Sequence, residues 1–394
     1  MRFLIVALLA LVQLAAGTQP LRCLMYLTGQ HVVIPDYALT RHITHVALAF
    51  MNSGVFNEEP PQEWSLFTTI PSIRPKFHPG TKFLVAIGGW GDTAGFDVAA
   101  ESEDSRVRWA RNVAQMVEDM EADGVDVDWE YPGGNGEDYK KVPNSEKAWQ
   151  ITAYPLLLQA LRRELGPHKL ITAALPGLER DMLAFTPATI PQIVSQLDFV
   201  NVMTYDLFNR RDNVTKHHTG IALSRASINA YISRGAPADK LNLGFPFYVK
   251  WALTEPCPDP ENPVGCPTLL MEDPETGADL GRAGGFSFHD EVPSDLAPSY
   301  NRALAQGKYD RVGGGHYYWD EGENRWWTFD TPEAIRVKFP VLVEGMGLGG
   351  VFAWGLGEDA PEFAHLEAVD GAMEKLRGKE NAKRDAARQS TKEL

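Results

Sequence analysis

Short apolar runs rich in β-branched and aromatic residues recur along the chain, and longer stretches with a helical period of apolar positions separate them. The short runs are typical of strands buried on both faces, and the stretches between them are typical of amphipathic helices. The clearest helices are predicted at 105–122, 145–165, 224–234 and 361–376. Eight strands are predicted, at 22–28, 43–50, 82–87, 124–129, 170–175, 197–204, 241–246 and 349–354.

The alternation of strands and helices predicts an α/β fold. Eight strand-then-helix units in about 350 residues favour a closed (β/α)8 TIM barrel over an open sheet. The connection between strands seven and eight is too long for a barrel loop and is rich in Pro and Gly. We therefore predict a barrel formed by 18–248 and 321–378, with a small α+β insertion subdomain at 249–320. The charged segment 379–394 offers little for packing and is predicted to be disordered or a frayed helix.

The N-terminus carries the longest apolar run of the chain. Arg2 precedes apolar residues from Phe3 to Leu14, and small residues follow up to Gly17. This pattern is typical of a secretory signal peptide, whereas a membrane anchor needs roughly 20 apolar residues. We expect residues 1–17 to be removed and the protein to be secreted to the extracellular space.

The negative net charge of the chain argues against some classes of binding partner. The chain of 394 residues has 37 Lys and Arg against 52 Asp and Glu, a formal charge of −15. An acidic protein has no general electrostatic attraction for nucleic acids or anionic membranes. We expect neither as a partner, and we expect the protein to be a monomer.

Three cysteines are too few for a disulfide scaffold or a Cys-built zinc site, and the chain contains no HExxH or CxxC motif. In a secreted chain, Cys257 and Cys266 are predicted to form a disulfide that closes a loop of the insertion. Cys23, which has apolar neighbours, is predicted to be a buried free thiol. Asn213 begins an Asn-Val-Thr sequon and is a candidate glycosylation site.

The most informative segment is DGVDVDWEYP at 123–132. Side chains alternate along a strand, so Asp126, Asp128 and Glu130 share one face, which is the interior face if the strand belongs to a barrel. Three buried acids about 6 to 7 Å apart hold at least one raised pKa, which suits acid catalysis. The alternatives are a solvated acidic edge strand and a calcium site, and the second lacks the ligand-rich loop of an EF-hand.

This segment resembles the DxxDxDxE signature of glycoside hydrolase family 18, the chitinase family. Other matching motifs follow in the expected order, and the resemblance covers about 22–376. It implies a TIM barrel with an insertion between strands seven and eight. The matching motifs are AIGG at 86–89, ALP at 174–176, MTYD at 203–206, GFPFY at 244–248 and VFAW at 351–354.

The resemblance also implies residue roles. Glu130 would donate a proton to the glycosidic oxygen and later activate water. Asp128 would turn toward Glu130 and the substrate acetamido nitrogen, Asp126 would share a proton with Asp128, and Tyr205 would bind the acetamido carbonyl. Trp354 would be the floor under the sugar at the cleavage site. The other expected substrate contacts are Tyr26, Phe50, Gly89, Trp90, Met203 and Asp206.

The implied activity is a chitinase that hydrolyses β-1,4 linkages between N-acetylglucosamine residues, with no cofactor or metal. The mechanism would be retaining and substrate-assisted, because the acetamido oxygen attacks in place of an enzyme carboxylate. One alternative is an endo-β-N-acetylglucosaminidase acting on N-glycans, which would be expected to lack the insertion. The other is a non-catalytic chitin-binding lectin of the same fold, which would have lost Glu130.

One position departs from the family pattern. Ala86 stands where the family usually has Ser, whose hydroxyl helps to hold the inner aspartate. We therefore expect Asp126 to depend more on Tyr26. The pair His217-His218 lacks a third ligand at usable spacing, so no metal site is expected there.

Overall fold

The computed structural model describes residues 21–61 and 63–392, so the predicted signal peptide lies outside the described residues. Eight parallel strands close into a barrel in the ring order β1-β13-β7-β6-β5-β4-β3-β2. Every predicted strand is present, which confirms the (β/α)8 TIM barrel. The barrel strands are β1 Arg22–Thr28, β2 His45–Met51, β3 Lys82–Gly88, β4 Gly124–Asp128, β5 Leu170–Leu175, β6 Phe199–Val202, β7 Leu241–Pro246 and β13 Gly350–Trp354.

The apolar runs form strands because both faces of the barrel wall are buried. On β3, Val85 and Ile87 pack outward against the helices, whereas Leu84 and Ala86 belong to the cluster inside the barrel. The interior cluster also contains polar-tipped aromatic residues such as Tyr26 and Tyr205. The interior is therefore packed with side chains, and the polar tips of tyrosines lie among its apolar groups.

Helices cover the outside of the barrel. Their ends differ from the predictions where a capping residue, rather than the apolar period, determines where the helix begins. The first long helix begins at Glu103 rather than at 105, because the Ser102 hydroxyl accepts a hydrogen bond from the Ser105 backbone N–H and caps it. The predicted helix 145–165 is divided into two. The α-helices are Ile70–Ile73, Ala94–Ala100, Glu103–Asp119, Asn144–Lys147, Gln150–Leu165, Ile190–Gln196, Ile221–Ser233, Ala297–Gln306, Pro332–Lys338 and Ala364–Lys392.

The insertion after β7 is an antiparallel sheet with the order β10-β11-β12-β8-β9, and the helix Ala297–Gln306 packs against β11 and β12. The sheet begins at Tyr248 and runs past the predicted boundary at 320, because the chain turns back after β11 and pairs again as β12. Cys257 and Cys266 are disulfide-bonded, with Cα atoms 5.3 Å apart. The added strands are β8 Tyr248–Leu253, β9 Ala283–Ser287, β10 Lys308–Asp310, β11 Gly315–Asp320 and β12 Arg325–Phe329.

The charged segment after 378 was predicted to be disordered or a frayed helix. The chain continues there as part of a helix that runs from Ala364 to Lys392. Val369 and Met373 anchor the first half of this helix against the core, and the following run of Lys, Glu, Ala and Arg consists of good helix formers. Cys23 is buried and free, as predicted.

No helix within residues 21–61 and 63–392 is long and apolar enough to span a membrane.

Candidate active site

A cavity of about 520 Å³ opens at the carboxyl ends of the barrel strands, beside the insertion. This is the end of a TIM barrel where active sites form. The insertion supplies part of the lining through Trp251, Gly284 and Gly285. The residues predicted from sequence that line the cavity are Tyr26, Phe50, Trp90, Asp128, Glu130, Met203, Tyr205, Asp206 and Trp354.

Asp126 lies beneath the cavity floor, fully buried. One of its carboxylate oxygens accepts a hydrogen bond of 2.6 Å from the Tyr26 hydroxyl. The other accepts hydrogen bonds from the Thr172 hydroxyl and from Asn201 Nδ2, the latter at 3.2 Å. Burial raises the pKa of Asp126, and these three donors oppose the rise. Asp126 is therefore a well-supported acceptor for a shared proton.

Sequence reasoning missed Thr172 and Asn201. Asn201 Nδ2 also lies 3.3 Å from the Tyr26 hydroxyl oxygen, and Asn242 donates to Asn201 Oδ1 at 2.9 Å. Arg22 Nε in turn donates to Asn242 Oδ1 at 3.1 Å. The sequence did contain a signal for Thr172 and Asn201, because each is a polar residue inside an apolar strand. A buried polar side chain needs a hydrogen-bond partner, and this would have pointed to a polar group inside the barrel.

Asp128 borders the cavity, and its carboxylate oxygen Oδ1 is buried without a hydrogen-bond partner among the residues that the structure describes. Burial, followed by the nearby charges of Glu130 and Asp126, raises its pKa well above the ordinary value. Because like-charged neighbours cannot all ionise cheaply, burial and the charges of Glu130 and Asp126 favour the protonated form of Asp128.

Glu130 is the outermost acid and borders the cavity. Its side chain is nine-tenths buried, and burial raises its pKa to about 7. A hydrogen bond from Tyr131 opposes that rise, and the negative charges of Asp206 and Asp181 add to it. A carboxyl group with this pKa can both donate and accept a proton near neutral pH.

The cavity has an aromatic floor. The Trp354 ring, half-buried at the end of β13, stacks on Phe50 with ring centres 5.4 Å apart, and its centre lies 5.4 Å from that of Tyr26. Met203 and Tyr205 both line the cavity just beyond the end of β6. A flat indole face bordered by a phenol suits a pyranose ring that carries a polar substituent.

Gly89 does not line the cavity. Its backbone N–H donates to the Asp128 carbonyl oxygen at 2.8 Å, and its φ of 93° belongs to the left-handed region. A Cβ atom on Gly89 would lie 2.6 Å from the Phe50 ring. The glycine therefore allows Phe50 to pack here.

Asp206 is half exposed to the cavity and is held by groups that the motif did not reveal. Lys250 Nζ lies 2.7 Å from its Oδ1, and the Tyr248 hydroxyl donates to the same atom at 2.6 Å. Burial opposes ionisation, but Lys250 and His218 together hold the pKa of Asp206 well below its usual range. Asp206 is therefore a fixed anion at the rim.

The aromatic residues near the mouth divide into two groups. Trp90 is 51% exposed, and it lines the cavity together with Trp251. Trp326 and Trp327 are fully buried in the insertion core. Only the first pair is placed to contact a ligand in the cavity.

A family model, Glycosyl hydrolases family 18, matches residues 22–359, which include the acidic strand, the aromatic floor and the insertion. The chain belongs to this family. Chitinase 1 of Aphanocladium album is 29% identical over 294 residues, which cover 69% of this chain and 60% of that relative. This family 18 chain spans between about half and two thirds of the length of the first curated relatives that it matches.

Two solved structures share the fold of this family 18 protein. A chitinase from Rhizomucor miehei has a TM-score of 0.72 at 21% identity, and the match covers 89% of this chain and 99% of that one. A family 18 chitinase from Cycas revoluta, solved in complex with (GlcNAc)4, has a TM-score of 0.67 at 19% identity with the same coverage.

Proposed function

We propose that this protein is a chitinase, which hydrolyses β-1,4 linkages between N-acetylglucosamine residues by a retaining, substrate-assisted mechanism. The observation that carries the proposal is Glu130, whose pKa is raised to about 7, beside Asp128, whose buried Oδ1 has no partner. The curated relatives are named chitinases, and the Cycas revoluta chitinase was solved with a chitin oligomer.

In the first step, the bound sugar lies on Trp354 and its acetamido group enters the interior. The Asp128 carboxylate accepts the amide N–H, and the Tyr205 hydroxyl donates to the carbonyl oxygen. That oxygen is then held for attack on the anomeric carbon while Glu130 protonates the leaving oxygen. The products of this step are a cyclic oxazolinium ion and a shortened chain.

In the second step, Glu130, now a carboxylate, takes a proton from water, and the water oxygen adds to the anomeric carbon. The oxazolinium ring opens and restores the acetamido group. Two inversions at the same carbon retain the β configuration. The Asp126 and Asp128 pair can shift its shared proton as charge develops on the amide nitrogen.

Two alternatives are less well supported. An N-glycan endo-β-N-acetylglucosaminidase would be expected to lack the insertion, which here supplies cavity-lining residues such as Trp251 and Gly284. A lectin of this fold would have lost the acid, and Glu130 is present. Ala86 lacks the hydroxyl that a Ser would provide at this position. Thr172 and Asn201 supply hydrogen bonds to Asp126 in its place.

We further propose secretion after removal of 1–17, action as a monomer, and glycosylation at Asn213, whose side chain is exposed after β6. The barrel and the insertion would act together, since the cavity takes residues from both.

The test replaces the proposed acid. Glu130→Gln keeps the shape of the side chain but cannot donate the proton, so hydrolysis of chitohexaose should fall by roughly 10² to 10⁴ while binding persists. Mass spectrometry follows the products, and calorimetry measures binding. Glu137→Gln, at an exposed position in the following loop, is the matched control. If Glu130→Gln retained more than about a tenth of the activity, the proposed role of Glu130 would be wrong.

A further inference from the structure

Four segments above the carboxyl ends of β4 to β7 lock together along one side of the cavity. They are the loops 131–147, 176–189 and 205–219, and the insertion segment 271–283, and we call them the loop wall. Neighbouring barrel loops commonly touch. Here, however, the loop after β4 also contacts the insertion after β7, although the loops after β5 and β6 lie between them in the order of the barrel.

Arg211 ties three of these segments together. Its Nη2 donates to the carbonyl oxygens of Asn135 and Gly136 at 3.0 and 3.2 Å. Its Nη1 lies 3.5 Å from Asp181 Oδ1, and its guanidinium carbon lies 3.6 Å from the centre of the Tyr139 ring. A planar cation held by carbonyls, a carboxylate and an aromatic face has little freedom to move aside.

The loop after β4 reaches the insertion through Tyr139 and Lys140. The Tyr139 hydroxyl donates to the Glu272 carboxylate, and Lys140 Nζ donates to the Pro274 carbonyl oxygen at 2.6 Å. A Cβ atom on Gly277 would lie 2.8 Å from Lys140 Cγ, so the two segments pack closely. The contact closes the wall across the tops of β5 and β6.

Further ion pairs stiffen both ends of the wall. Buried Lys147 donates to both carboxylate oxygens of Asp138 at 2.6 Å, which fixes the loop after β4. Arg210 lies 3.3 Å from Asp279 and 3.7 Å from Glu272, which ties the loop after β6 to the insertion. These pairs hold the wall in place without a ligand.

The inner face of the wall is also cavity lining. Asp181, Arg210, Arg211 and Asp279 border the cavity. Tyr139 and Lys140 belong to the wall but not to the cavity lining, so substitutions there change the contacts that support the wall and leave the lining residues in place.

The orientation of the sugar chain relative to the wall follows from the ring of strands. β13, which carries Trp354, is diametrically opposite β4, which leads into Glu130. A sugar on Trp354 with its acetamido group on Asp128 places the leaving oxygen at Glu130. Asp181, a residue of the wall that also lines the cavity, is close enough to raise the pKa of Glu130. We therefore place the leaving sugar beyond Glu130, toward the wall. In a β-1,4 chain the leaving side is the reducing-end side.

We propose that the loop wall ends the leaving-group side of the cavity, so that the enzyme cleaves chitin chains at a short, fixed distance from their reducing end. Tyr139 and Lys140 are the positioning residues that set this distance, since they hold the wall closed. The inference rests on the proposed function. It adds that the enzyme recognises the reducing end of the sugar chain.

The test maps the first bond cleaved in chitin tetraose, pentaose and hexaose. Hydrolysis in H₂¹⁸O labels each new reducing end, so early mass spectra show which product came from the original reducing end. The native enzyme should release one length of unlabelled reducing-end product from all three oligomers. Tyr139→Ala with Lys140→Ala should spread the first cuts over neighbouring bonds and lengthen the reducing-end product.

Lys308→Ala is the matched control, since this exposed lysine lies on β10, at the opposite edge of the insertion sheet from the cavity-lining β9. If thermal unfolding shows that the double variant is unstable, Lys140→Ala alone takes its place, with the same shift expected. Scattered first cuts by the native enzyme, or an unchanged position in a folded wall variant, would overturn the inference alone. Failure to cleave any of the oligomers would overturn the proposed function and the inference with it.

Discussion

Asp126 shows how one residue can be supported by neighbours that no motif names. Ala86, opposite Asp126 in the pairing of β3 with β4, offers no hydroxyl. Tyr26, Thr172 and Asn201 supply three donors instead. An ionised carboxylate has about four acceptor positions, so one place for a further donor remains. The expectation that Asp126 depends more on Tyr26 was therefore incomplete.

Ala86→Ser should shift the acidic limb of the pH–rate profile to lower pH. A further hydroxyl stabilises ionised Asp126, so the pKa for the first ionisation of the Asp126 and Asp128 pair falls. The shift should be about one pH unit, because one unit corresponds to about 1.4 kcal/mol, near the lower end for a hydrogen bond to a charged group. The profile of kcat/KM against pH measures the change.

Ala47→Ser is the control for Ala86→Ser, because Ala47 is also buried inside the barrel but lies on β2, which is not adjacent to β4. The basic limb, assigned to Glu130, should stay in place in both variants. A crystal structure should show the new hydroxyl facing Asp126. An unmoved acidic limb in a variant with that geometry would mean that Asp126 does not take part in the proton relay.

At the scale of elements, the barrel strands were predictable because each is a short apolar run whose two faces are both buried. The run at 170–175 is one example, and β5 occupies the same residues. The ends of helices were less predictable, since caps such as Ser102 compete with the apolar period. The extent of the insertion was missed because pairing of β12 with β8 joins residues that are far apart in sequence.

The length of the C-terminal helix was not predicted, for a different reason. Composition alone showed little that could pack in the charged segment after 378, so disorder and a frayed helix both stayed open. Residues with high helix propensity extend a helix that has already formed, because each added residue contributes a hydrogen bond without a new nucleation cost. The packed residues Val369 and Met373 supply that nucleus.

Loss of the disulfide should weaken the insertion. Cys257 and Cys266 close a short loop and pack in the same cluster as Trp319 and Trp326. Replacing both with Ser should lower the free energy of unfolding by about 2 to 3 kcal/mol, mainly because the unfolded chain regains loop entropy. Denaturant titration followed by tryptophan fluorescence measures this loss.

A second double variant, with Ala in place of both cysteines, separates the lost cross-link from the cost of burying two hydroxyl groups. Both variants should lose stability, the Ser pair slightly more. Equal stability of the native protein and the Ala pair would show that the cross-link contributes nothing to the folded insertion.

At the scale of the whole molecule, the sequence located the acids and the aromatic floor, because these belong to strand ends that a barrel must bring together. The loop wall could not be predicted in this way. Contacts such as Arg211 with Tyr139, or Lys140 with the insertion, join loops whose relative positions depend on the complete fold. On the proposed function, the barrel would supply the chemistry, and the loops and the insertion would determine which part of a sugar chain reaches it.

The substrate's acetamido group is the proposed nucleophile, and this predicts which bonds in a mixed polymer are cut. The net charge of −15 attracts cationic, deacetylated chitosan, so binding alone would not exclude it. A unit without an acetamido group cannot form the oxazolinium ion. In partly acetylated chitosan, every new reducing end should therefore be N-acetylated, and the first product should be the β-anomer, both visible by NMR of early products. Tyr205→Phe should weaken a thiazoline mimic of the intermediate more than it weakens a plain chitin oligomer, because binding tightens toward the transition state. Glucosamine at new reducing ends in proportion to its abundance, or an initial α-anomer, would exclude substrate assistance and leave Asp128 and Tyr205 with a different role.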